Sequence, residues 1–181
     1  DPSGGAGIQA DIESISSAGC HAATVITSLT TQNTNKVLDV TPQNPKPFRN
    51  QIRLILEDMD IVACKIGMIG SIQLLEVIVD ELTELNIPVV LDPVMSSTTG
   101  MKFSDDNICK KMLTSLLPLT TLLTPNCIEA TLLTQKVDLT AAANILLSHG
   151  ADSVLITGTH AETHEVLSLI HISEPTRQEA I

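Results

Sequence analysis

The chain has 181 residues and a formal net charge of −11, from 21 acidic and 10 basic residues. Because nucleic acids and anionic membranes bind basic surfaces, this charge argues against both as partners. The length and the 43% of apolar residues predict one domain with a sizeable core. Only 1% of the residues are aromatic, so the chain has no stacking platform for single-stranded nucleic acid.

The cysteines and the absence of targeting signals predict a cytoplasmic protein. No two of the four cysteines have the CxxC spacing of a structural zinc site. The sequence contains neither a signal peptide nor a run of 18 apolar residues. We therefore expect reduced thiols and a cytoplasmic location.

The pattern of apolar residues predicts alternating helices and strands along the chain. A glycine-rich turn, DPSGGAG at residues 1–7, enters the first predicted helix. Helices are predicted over 8–18, from 48, from 72, over 105–116, from 126 and over 139–149. Strands are predicted over 22–30, 37–40, 61–69, 88–94, 121–124 and 153–157.

Most of these strands are continuously apolar, which is typical of a mainly parallel sheet with helices on both faces. Ligands of such sheets bind beyond the carboxyl ends of the strands. The polar residues expected at that edge are Asp1, Gln32, Asp92, Asn126 and Glu129. The turn at residues 1–7 follows no strand in this chain, so we expect the first strand of the sheet to be missing.

Each of these polar groups has a functional interpretation and a simpler one. The glycine-rich turn either binds a polar or anionic ligand at a helix N-terminus or is only a helix entry. Asp92 either holds Mg²⁺ or caps a loop. Asn126 and Glu129 either face one cleft or form a capping box. Two such groups at successive strand ends are consistent with magnesium-assisted phosphoryl transfer.

Two further polar features lie after strands. Gln32 could hydrogen-bond a heteroaromatic ring or lie in a solvated turn. His160 and His164 are four residues apart, but their surroundings do not read HExxH, and we expect no metal there.

Five segments in order resemble the hydroxymethylpyrimidine/phosphomethylpyrimidine kinases of thiamine biosynthesis, which belong to the ribokinase-like superfamily. They are DPSGGAGIQAD, TVITSLTTQNT, KIGMIGS, VVLDPVM and LTPNCIEA. The resemblance covers residues 1 to about 167. It implies a three-layer ribokinase-like sandwich that transfers the ATP γ-phosphoryl group to the pyrimidine alcohol and then to its monophosphate, with Mg²⁺ as cofactor.

The resemblance also implies roles for individual residues. Substrate-binding residues would be Asp1, Gln32, Met68 and Val94. Residues for ATP and its phosphates would be Asn126, Glu129, Thr157 and Gly158, and metal ligands would be Asp92 and Glu129. An intact member is expected to be a homodimer.

The chain departs from the family pattern in several places. Thr157 stands where many members have lysine, and the stretch 96–100 lacks a lysine often found there. The late glycine-rich motif with the anion hole and the base cysteine has no counterpart, so no catalytic residue is assigned. The segment LSLIHISEPTR resembles a translated sequencing adaptor, and residues 168–181 are therefore predicted to be a non-native tail after a partial kinase domain, 1–167. We expect this fragment to be inactive itself.

Two alternative functions stay open. A pyridoxal kinase of the same superfamily would also phosphorylate a ring hydroxymethyl group. A non-catalytic pyrimidine-binding protein would have kept the pocket and lost phosphoryl transfer.

Overall fold

The computed structural model describes residues 1–96, 106–158 and 169–172, which form an α/β fold. The helices are α1 Gly7–Ser17, α2 Pro45–Asp58, α3 Ile72–Thr83, α4 Asp106–Lys111, α5 Cys127–Thr134 and α6 Leu139–Ser148. The strands are β1 Ser28–Gln32, β2 Val37–Pro42, β3 Cys64–Ile66, β4 Val89–Leu91, β5 Leu122–Leu123, β6 Ser153–Ile156 and β7 Leu169–Ile172. After α4 the backbone continues as a π-helical segment, Met112–Leu116, and a 3₁₀ turn, Leu117–Leu119. None of the described helices combines the length and apolar character needed to span a membrane.

Side-chain caps determine where three of the helices begin. Asn44 accepts a hydrogen bond from the Lys46 amide, Ser71 from the Leu74 amide and Asp138 from the Ala141 amide. Each cap satisfies an amide that has no partner within its helix. The helix predicted from residue 48 begins earlier, at Pro45, because proline is favoured in the first helical turn, where its missing N–H costs nothing.

The main sheet has five strands in the order β3-β4-β5-β6-β7. β3 to β6 are parallel to their neighbours, whereas β7 pairs antiparallel with β6. The predicted α/β class with a mainly parallel sheet is therefore confirmed. β7 includes residues of the segment predicted to be a non-native tail, so part of that segment is built into the sheet; its origin stays a prediction.

The two faces of this sheet differ in burial. Strand register places six buried side chains on one face: Ile66, Val89, Leu91, Leu123, Val154 and Ile156. The alternate positions on the other face are exposed or half-buried: Lys65, Val90, Leu122 and Ser153. Helix α1 is tied to this second face because its Asp11 carboxylate bonds the Lys65 ammonium. Helices α3 and α6, which connect successive strands, contribute Leu74, Leu75 and Leu146 to the core.

The prediction of a strand over 22–30 is wrong in both extent and pairing. The strand is β1, Ser28–Gln32, and it pairs antiparallel with β2 in a separate two-stranded sheet. Residues 21–26 lie outside the regular elements. Their β-branched composition favours an extended chain, but a strand also needs a hydrogen-bonding partner, and composition does not indicate which segment pairs with which.

The strand predicted over 61–69 is also shorter, because β3 spans only Cys64–Ile66. Within the described residues β3 pairs on one side, with β4, and this pairing sets its length. Val62 lies just before it and is 75% exposed. The described residues do not include 97–105, where most of a loop and the start of a helix are predicted. They also do not include His160 and His164.

Candidate functional site

The carboxyl ends of β4, β5 and β6 lie side by side and bring three of the predicted site segments together. The Asp92 amide donates to the Ile66 carbonyl at 2.8 Å, and the Thr124 amide donates to the Leu91 carbonyl at 2.9 Å. The pairing then continues past the strands, since Asn126 and Thr157 form a parallel bridge. Asp92 and Asn126 therefore occupy one edge of the sheet, as the sequence predicts, and Thr157 lies beside Asn126. Gln32, which was expected at the same edge, instead ends β1 in the separate two-stranded sheet.

The Asp92 carboxyl lies half-buried directly after β4. Burial raises its pKa, the nearby Lys65 ammonium lowers it by a smaller amount, and Asp11 raises it again. A charged carboxylate in such surroundings is stabilised by a cation, because desolvation penalises the unpaired charge. This environment is compatible with a metal ligand, although the role itself stays a prediction.

Lys65 is the site residue that sequence reasoning missed. Its ammonium binds both carboxylate oxygens of Asp11, at 2.9 and 3.1 Å. Gly67 leaves room for it, since a Cβ added there would lie 3.2 Å from the lysine nitrogen. The available signal was a lone cation inside the apolar run IVACKIGMI, which indicates a strand with one face only partly covered.

Asn126 and Glu129 form a complete capping box at the start of α5. The Asn126 side-chain oxygen accepts from the amides of Ile128 and Glu129, each at 2.9 Å. The Glu129 carboxylate accepts from the Asn126 amide at 2.9 Å, and the residue is 7% exposed. The simpler interpretation of this pair therefore describes the observed geometry. A role in binding phosphate or magnesium stays a prediction.

Thr157 and Gly158 follow β6 beside this capping box. The Thr157 amide donates to the Pro125 carbonyl at 2.9 Å, and its carbonyl lies 3.4 Å from the Cys127 sulfur. Gly158 is buried. The backbone here is thus held by β5 and α5, which gives a fixed surface next to the N-terminus of α5.

The glycine-rich turn at residues 1–7 folds back on Asp1. The Asp1 carboxylate accepts from the Ser3 amide at 2.8 Å and from the Ser3 hydroxyl at 2.7 Å. Gly7 has a φ of +69°, and a Cβ there would lie 3.2 Å from the Asp1 nitrogen. Ala6 provides no side-chain cap for α1, so the first amides of this helix lack the protein partner that Ser71 provides for α3.

The three remaining predicted substrate residues lie on different elements. Gln32 ends β1 and lines a cavity of about 140 Å³ with Thr31, Asn33, Lys36 and Leu38. The Met68 carbonyl accepts a hydrogen bond from the Thr27 hydroxyl, which joins the segment before β1 to the segment after β3. The Val94 amide donates to the Asp92 carbonyl at 2.8 Å. Among the described residues no hydrogen bond or ion pair joins Gln32 to Asp1, Met68 or Val94.

No group of three or more histidine, cysteine, aspartate or glutamate side chains in the described part of the chain is arranged to hold a metal ion. A dedicated cage is not required for Mg²⁺, which usually keeps several waters and binds through one or two carboxylates plus substrate phosphates.

Comparison with known proteins places the chain in a family. The family model described as phosphomethylpyrimidine kinase matches residues 1–178. A hydroxymethylpyrimidine/phosphomethylpyrimidine kinase of Rhizobium meliloti is 34% identical over 175 residues, which are 93% of this chain and 66% of that protein. The protein of the same name from Synechococcus elongatus is 38% identical over 163 residues, 87% of this chain and 62% of the relative.

Solved structures of kinases have a fold similar to that of this chain. The crystal structure of phosphomethylpyrimidine kinase from Clostridium difficile 630 is 34% identical and superposes with a TM-score of 0.86 over 97% of this chain and 78% of that one. The pyridoxal kinase of Staphylococcus aureus, in complex with AMP-PCP and pyridoxal, is 28% identical with a TM-score of 0.84 over 95% of this chain and 64% of that one. The fold is thus the predicted ribokinase-like one. The chain spans 66% of the length of the Rhizobium relative and 62% of the Synechococcus one. It belongs to the phosphomethylpyrimidine kinase family.

Proposed function

We propose that this protein phosphorylates 4-amino-5-hydroxymethyl-2-methylpyrimidine and then its monophosphate, using ATP, in thiamine biosynthesis. The observation that carries the proposal is the row of Asp92, Asn126 and Thr157 along one edge of the sheet. The curated relatives at 34% and 38% identity carry the corresponding name. In each step the substrate oxygen forms a bond to the γ-phosphorus, the bond to the β-phosphate oxygen breaks, and ADP leaves.

The substrate side of the site is assigned to Asp1, Gln32, Met68 and Val94. The Asp1 carboxylate and the Gln32 amide offer an acceptor and a donor–acceptor pair that suit an aminopyrimidine. Met68 and Val94 provide apolar walls after β3 and β4. These residues bind and orient the ring so that its hydroxymethyl oxygen faces the nucleotide.

The nucleotide side is assigned to Asn126, Glu129, Thr157 and Gly158, and the metal to Asp92 and Glu129. The donor set fits Mg²⁺, because it consists of carboxylate oxygens and includes a half-buried Asp92 whose charged form needs a cation. When bound, Mg²⁺ would neutralise negative charge on the phosphates. The Ile128 and Glu129 amides are already bonded to the Asn126 side chain, so we assign Asn126 to holding that helix end in place beside the phosphates. One Glu129 oxygen bonds the Asn126 amide, and we assign the other to the metal.

Calorimetry tests the proposal. The chain is titrated with the aminopyrimidine alcohol, with its monophosphate and with pyridoxal, each in the presence of Mg²⁺ and a non-hydrolysable ATP analogue. We expect both pyrimidines to bind more tightly than pyridoxal. Binding of pyridoxal with no binding of either pyrimidine would overturn the assignment.

A pyridoxal kinase is the second candidate. The observation that favours it is the fold match to pyridoxal kinases from Staphylococcus aureus and Bacillus subtilis, at 28% and 27% identity. The same titration separates the two kinases. A chain that binds the pyrimidine but no nucleotide would instead be the non-catalytic pyrimidine-binding protein.

The remaining assignments concern organisation. We infer that residues 1–167 are a partial kinase domain, that residues 168–181 are a non-native tail, and that the intact protein is a cytoplasmic homodimer without nucleic-acid or membrane partners. Sedimentation equilibrium measures the oligomeric state directly. A monomer at concentrations well above those of the cell would contradict the dimer.

A further inference from the structure

Helix α1 has little apolar attachment to the rest of the molecule. None of its residues is buried, and Ile12 is 39% exposed. Among the described residues, the side-chain bond that joins α1 to the main sheet is the ion pair between Asp11 and Lys65. Ile8 and Ile15 are only half-buried, so this ion pair adds a specific contact to a helix with limited apolar packing.

This ion pair has the geometry of a specific contact. The partners are 54 residues apart in sequence, and the lysine nitrogen lies 2.9 and 3.1 Å from the two carboxylate oxygens. The side chains are only 33% and 30% exposed, so solvent screens the pair less than it screens a fully exposed one. A side chain at position 67 would crowd the ammonium, and Gly67 avoids this.

The same lysine interacts with residues of both parts of the candidate site. On one side it holds Asp11, which is the fifth residue of α1 and follows the turn that carries Asp1. On the other side it is close enough to Asp92 to affect that carboxyl electrostatically. A displacement at Asp11 would move the glycine-rich turn, because only three helical residues separate them.

We propose that the Lys65–Asp11 ion pair holds the glycine-rich turn of residues 1–7 over the carboxyl edge of the sheet, which makes Lys65 a positioning residue for the bound pyrimidine. The proposal rests on the proposed function for the identity of the ligand. It adds a residue that acts through α1, without touching the substrate. It also predicts that loss of the pair weakens pyrimidine binding.

Hydrogen exchange and calorimetry on the full 181-residue chain test this proposal. Lys65→Met should make the amides of α1 exchange about fivefold faster and weaken pyrimidine binding about fivefold, as expected for the loss of a partly exposed ion pair. Lys65→Arg should retain most of the protection and affinity. Asp11→Asn, a change on the helix surface, removes the same ion pair. It should give the same increase in α1 exchange and the same loss of pyrimidine affinity, and it replaces Lys65→Met as the test if that variant folds poorly.

The matched control is Arg53→Met, which removes the 3.0 Å ion pair between Arg53 and Glu81 in a different part of the fold. It should leave α1 exchange and pyrimidine affinity as in the wild type. Unchanged α1 exchange in both Lys65→Met and Asp11→Asn would overturn the proposal, and so would faster exchange with unaltered pyrimidine affinity. If the wild type binds no pyrimidine, the proposed function fails, while the exchange rates still decide whether Lys65 holds α1.

Discussion

Replacement of Gly70 by alanine should be among the most destabilising single changes in this protein. Gly70 follows β3 and has a φ of +86°, a left-handed conformation that costs an L-residue about 1–2 kcal/mol. A Cβ at this position would lie 2.0 Å from the Ser28 hydroxyl oxygen and 3.3 Å from the Ser28 Cβ. Overpacking of this kind typically costs about 1–3 kcal/mol. Because the smaller unfolded-state entropy of alanine offsets less than about 1 kcal/mol, we expect a net loss of about 2–4 kcal/mol.

The Ser28 hydroxyl allows the two causes to be separated. This oxygen is buried and has no hydrogen-bond partner among the described residues, so Ser28→Ala should be neutral or stabilise the fold by up to about 1 kcal/mol. In Gly70→Ala/Ser28→Ala the hydroxyl clash is gone, and a residual loss of about 1–2 kcal/mol from the backbone strain should remain. Urea denaturation of the four proteins measures the cycle. The reasoning is refuted if Gly70→Ala is as stable as the wild type, or if Ser28→Ala gives it no relief.

Four further perturbations test other parts of the molecule. Asn126→Ala removes the cap of α5 and should lower the free energy of unfolding by about 1 kcal/mol, as checked by urea denaturation. The same change in an intact relative should lower kcat in a phosphorylation assay, and an effect on KM alone would contradict its assigned role. Gln32→Leu should weaken pyrimidine binding in calorimetry by about 1–3 kcal/mol if this amide pairs with the ring, and unaltered affinity would remove it from the pocket. Hydrogen bonds from Arg53, and to a smaller extent from Arg49, hold the pKa of Glu81 below its ordinary value of 4.5. The stabilisation from the charged Glu81 is therefore present above that pH and is lost as the pH falls. Glu81→Gln should flatten the acid limb of a curve of unfolding free energy against pH. Deletion of residues 168–181 should leave the free energy of unfolding unchanged in urea denaturation. A loss of more than about 2 kcal/mol would show that the pairing of β6 with this segment belongs to the native fold.

The sequence predicted the helices more accurately than the strands, for a physical reason. A helix is closed by local groups, and the Ser71 cap and the glycine at 150, with its φ of +107°, are visible in the sequence itself. A strand is bounded by its partner, which is distant in sequence. The apolar run at 22–30 therefore could not show that the ladder begins only at Ser28 and pairs with β2.

The candidate site shows the same division. Asp92 and Asn126 were predicted to share one edge because parallel strands bring their carboxyl ends together, and they do. Gln32 was predicted at the same edge, but it ends β1 in the separate two-stranded sheet. The capping box could not be separated from a ligand site by sequence, because both need an asparagine and a glutamate three residues apart. The Lys65–Asp11 pair was missed because it joins positions 54 residues apart, and no local pattern encodes such a contact.

The two halves of the site are held by different forces, and this difference shapes how each should respond to mutation. On the nucleotide side, backbone hydrogen bonds between β4, β5, β6 and the start of α5 fix the positions of the side chains, and the strands beneath them bury one face completely. On the substrate side, a glycine-rich turn precedes a helix with no buried residue, and that helix is joined to the sheet through one ion pair among the described contacts. A buried ladder is stable because many groups would have to separate together, whereas a single partly exposed ion pair contributes little. Changes on the nucleotide side should therefore reduce stability and activity together. Changes around α1 should reduce pyrimidine affinity at almost constant stability, since the turn can shift without unfolding the sheet.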